Sequence, residues 1–154
     1  MIAYPDAMTE AQGIVLVAID GSPGSDAATA FGVAEARRRS AALRLLHVWH
    51  APTLLGGGQW ILPPEIEARI GGSVQELVDA AEAKARELGP ELTISADAVQ
   101  GPVIPSIVAA SAEADILIVG TRGHGGFAEL VLGSVSQGAA QHAHCPVTIV
   151  RAEG

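Results

Sequence analysis

Short apolar runs rich in Val, Ile and Leu recur along the chain and predict buried β-strands. They occupy residues 14–19, 43–48, 116–119 and 146–150. A further run at residues 92–98 alternates apolar and polar side chains. This alternation is typical of a half-exposed strand, so we expect that strand at an edge of the sheet.

Between these runs, apolar side chains recur at helical spacing and predict amphipathic helices. The first helix has Ser22 as its N-cap and Pro23 at its first position, and it ends at the three arginines 37–39. Three further helices are predicted. One covers residues 65–88, one begins at Pro102, and one begins at Gly133-Ser134. One face of helix 65–88 is expected to carry its apolar side chains: Ile66, Ile70, Val74, Leu77, Ala81, Ala85 and Leu88.

The alternation of strands and helices predicts an α/β fold, with a parallel sheet covered by helices on both faces. A length of 154 residues fits a single domain. We expect that domain at residues 13–152, after a flexible leader at residues 1–12. The leader has no basic segment and is not expected to be a signal peptide.

Composition excludes several classes of partner. With 17 acidic and 9 basic residues, the formal net charge is −8. Nucleic acids and anionic membranes require clustered Lys and Arg, so neither is an expected partner. No apolar run approaches the length of a membrane span. The single cysteine, Cys145, excludes an internal disulfide and indicates a reducing compartment, so we expect a cytoplasmic protein.

Two predicted strand ends carry residues suited to ligand binding. The first strand ends at Asp20, and the fourth is followed by a glycine-rich loop that leads to Gly133 and Ser134 at a helix start. Ligands of open parallel sheets bind beyond the carboxyl ends of the strands. Glycines and a helix N-terminus present backbone N–H groups to an anion, and the Ser134 hydroxyl could cap the helix or bond a phosphate oxygen. The sequence thus predicts an anion cradle.

The spacing Gly120-x2-Gly123-x9-Gly133-Ser134 resembles the nucleotide-binding signature of the universal stress protein family. The resemblance extends from about residue 13 to residue 151. It includes the opening strand that ends at Asp20, the His47-Val48 pair and the closing segment 145–150. It implies a three-layer, adenine nucleotide alpha-hydrolase-like sandwich, with a five-stranded parallel sheet in the order 3-2-1-4-5.

The same resemblance implies that ATP, with Mg, binds between the ends of strands one and four. Backbone groups of Val48 would hold adenine, and Asp20 would contact the ribose or a phosphate-bound metal ion. The implied binding residues are Ala18, Ile19, Asp20, Val48, Gly120, Thr121, Arg122, Gly123, His124, Gly125, Gly126, Gly133, Ser134 and Val135. The implied role is a nucleotide-dependent switch or sensor in a stress response.

Enzymatic motifs are poorly matched. The chain's one lysine, Lys84, lies within helix 65–88, so a Walker A lysine is lacking, and there is no G-x-S-x-G elbow. No general base for efficient ATP hydrolysis is evident. A slow ATPase or phosphotransferase, and a dimeric interaction module that does not use nucleotide, remain the alternatives.

The remaining features are assigned to structure. Val147, Thr148, Ile149 and Val150 are mostly apolar on both faces, and an apolar edge strand indicates a symmetric homodimer, as is common in the family. The histidines are read as surface or core imidazoles, and Cys145 as a small buried hydrophobe. The glycines at residues 56–58 are typical of a flexible loop, with a lid as the alternative.

Overall fold

A computed structural model describes residues 13–50, 62–121 and 132–152. The strands are β1 (Ile14–Ala18), β2 (Ala42–Trp49), β3 (Ile94–Gln100), β4 (Ile116–Gly120) and β5 (Val147–Val150). The helices are α1 (Pro23–Arg39), α2 (Pro64–Leu88), α3 (Val103–Ser111) and α4 (Ser134–His142). The predicted leader, the glycines at 56–58 and loop residues 122–126 lie outside the described residues.

The strands form one parallel sheet in the order β3-β2-β1-β4-β5, which confirms the predicted architecture. The central strand β1 pairs with β2 on one side and with β4 on the other. The chain therefore winds outward in both directions from β1. At this reversal the carboxyl ends of β1 and β4 separate into a crevice, the usual ligand position in such sheets.

Each face of the sheet carries its own hydrophobic cluster. On one face, strand residues such as Val17, Leu45 and Ile118 pack with residues of α1 and α2. On the other face, Leu16 and Leu117 belong to a cluster that includes residues of α3 and α4. This arrangement explains the fully apolar central strands, since their alternate side chains enter two different cores.

Helix α1 begins and ends as its sequence predicts. The Ser22 hydroxyl caps it by accepting a hydrogen bond from the Ser25 N–H at 3.2 Å, and Pro23 is its first residue. The last turn carries the three arginines. Two of them donate to the buried Glu35 carboxylate, and the bond from Arg38 is the main cause of a lowered Glu35 pKa.

The apolar face predicted for α2 is less buried in the first half of the helix than in the second. Ile66 is 44% exposed, whereas Val78 and Ala85 in the second half are buried. The helix has 25 residues and is therefore about 37 Å long, whereas seven-residue β3 spans about 23 Å. The first turns of α2 therefore extend past the strands and lack a sheet to pack against. No helix in the described ranges is long and apolar enough to span a membrane.

Candidate functional site

A cavity of about 330 Å³ lies beyond the carboxyl ends of β1 and β4. Its volume falls within the range usual for small-molecule sites. The lining residues are Ala18, Ile19, Asp20, Ser22, Ser25, Val48, Val103, Ile107, Val119, Gly120, Gly133, Ser134, Val135 and Ser136. The first turns of α1, α3 and α4 all contribute to this lining, so three helix N-termini, with their positive dipole ends, surround one cavity.

Most of the predicted site residues within the described ranges come together here: Ala18, Ile19, Asp20, Val48, Gly120, Gly133, Ser134 and Val135. Thr121 does not line the cavity, but its carbonyl accepts hydrogen bonds from the Gly133 N–H and the Ser136 hydroxyl, both at 2.8 Å. It thus ties the end of β4 to the start of α4. The other predicted residues, Arg122, Gly123, His124, Gly125 and Gly126, lie outside the described residues.

Asp20 occupies a hydrogen-bonded turn between β1 and α1. Its Oδ1 accepts from the Ser22 N–H at 2.9 Å, and its own N–H donates to the Ser25 hydroxyl at 3.1 Å. Gly21 has φ +80°, a backbone conformation that glycine adopts without strain. The Ser22 N–H thus fixes the Asp20 carboxylate in the turn, and the Ser25 hydroxyl fixes the Asp20 backbone.

The N-terminus of α4 lines another side of the cavity. Gly133 is the N-cap, and no side chain at that position bonds the first-turn N–H groups. Of the two roles considered for the Ser134 hydroxyl, that of helix cap is wrong, because Ser134 is already the first helical residue. The first turn contains no acidic residue. An uncapped N-terminus without neighbouring carboxylates on its own turn is suited to bind an anion.

The ends of β1 and β2 are joined beside the cavity. The Ile19 N–H donates to the Leu46 carbonyl at 2.9 Å, and the Ile19 carbonyl lies 2.8 Å from His47 Nδ1. His47 therefore contacts a backbone carbonyl of the fold, which is what we expect of a surface or core imidazole. The next residue, Val48, is buried and supplies an apolar surface to the cavity.

Gly120 has a packing role that the motif alone did not indicate. A Cβ at this position would lie 2.9 Å from the carbonyl carbon and oxygen of Gly24 in the first turn of α1. Real Cβ atoms do not approach backbone atoms so closely. Glycine is therefore required here so that β4 and α1 can meet, in addition to any approach of a ligand.

Sequence reasoning missed six lining residues: Ser22, Ser25, Val103, Ile107, Val119 and Ser136. Ser22 was identified only as a helix cap. Ser25 and Ser136 each lie three positions after a helix N-cap, where a side chain returns to the helix end. That spacing places both side chains near a helix end, but it does not show that the helix end lines the cavity.

The described residues outside the crevice offer less chemistry. They contain no group of three or more His, Cys, Asp and Glu side chains that could hold a metal ion. Cys145 is only half-buried and packs against the cluster of Leu117. Partial burial raises the pKa of its thiol, which disfavours the reactive thiolate form.

The fold and the crevice define a doubly wound α/β protein with a ligand-type cavity at its topological switch point. The chain belongs to the universal stress protein family, whose model matches residues 13–151. It is 36% identical over 141 residues to universal stress protein Rv2623 of Mycobacterium tuberculosis, an alignment that covers 91% of this chain and 46% of the relative. A universal stress protein of Mycolicibacterium smegmatis is 33% identical over 144 residues, covering 89% and 45%. The chain therefore spans about half the length of these curated relatives.

Solved structures share the fold. A universal stress protein in complex with cAMP matches with a TM-score of 0.69 and 24% identity, covering 93% of this chain and 99% of that one. A universal stress protein from Archaeoglobus fulgidus in complex with dAMP matches with a TM-score of 0.63 and 20% identity, covering 90% and 97%.

Proposed function

We propose that this protein binds an adenine nucleotide, ATP foremost, in the crevice, and acts as a nucleotide-dependent switch in a cytoplasmic stress response. The observation that carries the proposal is the make-up of the cavity. A carboxylate at Asp20 and the uncapped N-terminus of α4 line the same space. The complexes of two relatives with cAMP and dAMP support an adenine nucleotide as the ligand.

Each part of ATP can be matched to residues that line the cavity. Backbone groups at buried Val48 would hold the adenine, and the N–H groups from Gly133 to Val135 would bind the phosphates. Asp20 would contact the ribose or a Mg²⁺ ion on the phosphates. Mg²⁺ commonly takes one or two protein carboxylates together with phosphate oxygens, and Asp20 supplies a carboxylate among the described lining residues. A bound Mg²⁺ would neutralise phosphate charge.

Thermal unfolding with and without Mg-ATP tests this proposal, alongside mass spectrometry of any nucleotide that co-purifies. ATP at about ten times its Kd stabilises a binding protein by about 1.4 kcal/mol, which raises Tm by about 3–6 °C at this size. We expect Asp20→Ala to lose the shift. Asp26→Ala should keep it, because Asp26 pairs with Lys84 on the protein surface and does not line the cavity.

If no nucleotide co-purifies and Mg-ATP does not raise Tm, the proposal is contradicted, and a dimeric interaction module that does not use nucleotide is favoured.

Incubation with Mg-ATP over hours separates a switch from a slow ATPase. Repeated turnover to ADP that Asp20→Ala abolishes would favour the enzyme.

We also propose a symmetric homodimer formed through β5. This strand lies at the edge of the sheet, and all four of its residues are partly exposed. Pairing with a second copy would cover the open edge and its apolar side chains. Analytical ultracentrifugation should give the mass of a dimer at micromolar concentration, and a monomer would contradict this proposal.

A further inference from the structure

The flank of α1 that faces β5 carries an exposed aromatic side chain, Phe31, which is 40% exposed. Its direction follows from its neighbours along the helix. Gly32 faces the sheet at Val17, and Val33 lies on the side of α2, beside Gly89. Successive residues of an α-helix are turned by about 100°, so Phe31 projects on the side opposite Val33. On that side α1 contacts β5.

Strand β5 exposes surface next to this flank of α1. Thr148 pairs with Ile118, and Val150 packs against the same cluster as Ile118, beneath α1. Side chains at paired positions of neighbouring strands point to the same face of the sheet, so Thr148 and Val150 both face the side of α1. All four residues of β5 are only partly buried. The open edge of the sheet and the flank of α1 therefore form one continuous surface.

Phe31 lies beside β5 along the length of the sheet as well. Gly24, in the first turn of α1, lies against Gly120, which pairs with Val150 at the end of β5. Phe31 follows Gly24 by seven residues, and this stretch of helix is about 10 Å long, the length of about three residues of a strand. Because α1 runs back along the sheet, Phe31 lies next to the first half of β5.

Pairing of β5 with a second copy would by itself make a small interface. Stable interfaces bury about 800 Å² on each partner and involve about 20–30 residues a side, whereas β5 has four residues. A stable homodimer therefore needs the helix flanks beside β5 as well. On the other face of the sheet, Gly138 of α4 faces Ile104 of α3, so Ala140, with its short side chain, projects toward β5. Of these two flanking residues, Phe31 supplies the larger apolar surface.

We propose that Phe31 stabilises the homodimer by packing against the partner's Phe31, in the groove between the two α1 helices above the paired β5 strands. The inference rests on the proposed homodimer and adds a second layer to it. A two-fold axis that pairs β5 with its copy in antiparallel directions brings the two flanks of α1 face to face. The two rings then lie on opposite sides of the axis at similar heights. Aromatic side chains near the centre of an interface commonly supply much of its binding energy.

Sedimentation equilibrium of the wild-type protein and of Phe31→Ala tests this proposal. We expect Phe31→Ala to raise the Kd of the dimer by about 10–100-fold, because both copies lose a central aromatic side chain. Alanine is a better helix former than phenylalanine, so α1 itself should form as before. Circular dichroism of the two proteins checks that the variant is folded.

Ile66→Ala is the matched control. Ile66 is also a large, exposed apolar side chain on a helix, but it lies in the first turn of α2, which packs over β2 and β3 at the opposite side of the sheet from β5. Its replacement should leave the Kd of the dimer unchanged. A difference between the two variants therefore reports the position of Phe31 and not a general loss of apolar surface.

Photo-cross-linking locates the contact directly. The photoreactive amino acid p-benzoylphenylalanine is introduced at position 31, so that the side chain stays aromatic, and isotopically light and heavy protein are mixed before irradiation. We expect adducts that join a light chain to a heavy chain, and mass spectrometry should map them to α1 or β5 of the second copy.

A wild-type dimer whose Kd is unchanged in Phe31→Ala would overturn this inference while the homodimer through β5 stood. A lowered Tm of that variant would then assign the ring to contacts within its own chain. Adducts confined to single chains of a dimeric protein would overturn the inference as well. A wild-type protein that stays monomeric would overturn the homodimer and this inference together. The cross-linking result decides the question even if Phe31→Ala does not fold.

Discussion

Replacing Gly32 by alanine is expected to lower the free energy of unfolding by about 2–3 kcal/mol. Gly32 lies on the face of α1 that packs against the sheet, and an added Cβ would lie only 2.5 Å from Val17 Cγ2. Val17 is fully buried in the central strand, and its branched side chain has few alternative rotamers. The part of the helix around Gly32 would have to move away from β1, which loosens the core on that face.

Gly71→Ala in α2 is the matched control for this substitution. Gly71 is also a helical glycine, but an added Cβ there would have nothing within 4 Å. Alanine is favoured over glycine in an exposed helix, so this variant should gain about 0.5–1 kcal/mol. Urea unfolding measures both. Equal effects of the two substitutions would contradict the close contact between α1 and β1.

Gly120→Ala is expected to damage the crevice as well as the fold. The added Cβ would meet backbone atoms of Gly24, which cannot rotate away as a side chain would. The first turn of α1 must shift, and with it the hydroxyls of Ser22 and Ser25. We expect a loss of about 1–3 kcal/mol in the free energy of unfolding, and an ATP affinity weakened about tenfold or more, because small displacements of contact groups are costly.

Gly32→Ala serves as the control for the binding effect. It should destabilise the protein to a similar degree, but its clash lies against Val17 in the core and not at the cavity. Calorimetric titration of both variants at a temperature where they are folded separates the two effects. If both bind ATP equally well, then Gly120 matters for packing alone.

The element order and a parallel sheet could be predicted from the alternation of strands and helices, which leaves few topologies. The strand order within the sheet was implied by the family resemblance. Local boundaries were harder to predict. Leu92 and Thr93 were expected to begin the third strand, but the Leu92 N–H donates to the Gly89 carbonyl in a turn, and the strand begins at Ile94. Periodicity also could not show that α2 is longer than the sheet. A periodic pattern identifies the apolar face of a helix, but it does not show whether another element packs against that face.

The candidate site was predictable where a residue belongs to a motif or follows a strand. Asp20, Gly133 and Ser134 were found in this way. Ser25 was not, because its place at the cavity depends on the direction in which α1 leaves the Asp20 turn. That direction is set by contacts distant in sequence, including the approach of Gly120 to Gly24. The local spacing of residues along the sequence does not reveal tertiary geometry of this kind.

The meeting of Gly24 and Gly120 also restricts how β4 and α1 can move relative to each other. Two backbones in direct contact, without intervening side chains, cannot be compressed further, so the floor of the crevice between β4 and α1 is stiff. If the crevice binds a nucleotide as we propose, we therefore expect any adjustment to the ligand at the opposite rim, where α3 and α4 meet through Ile104 and Gly138.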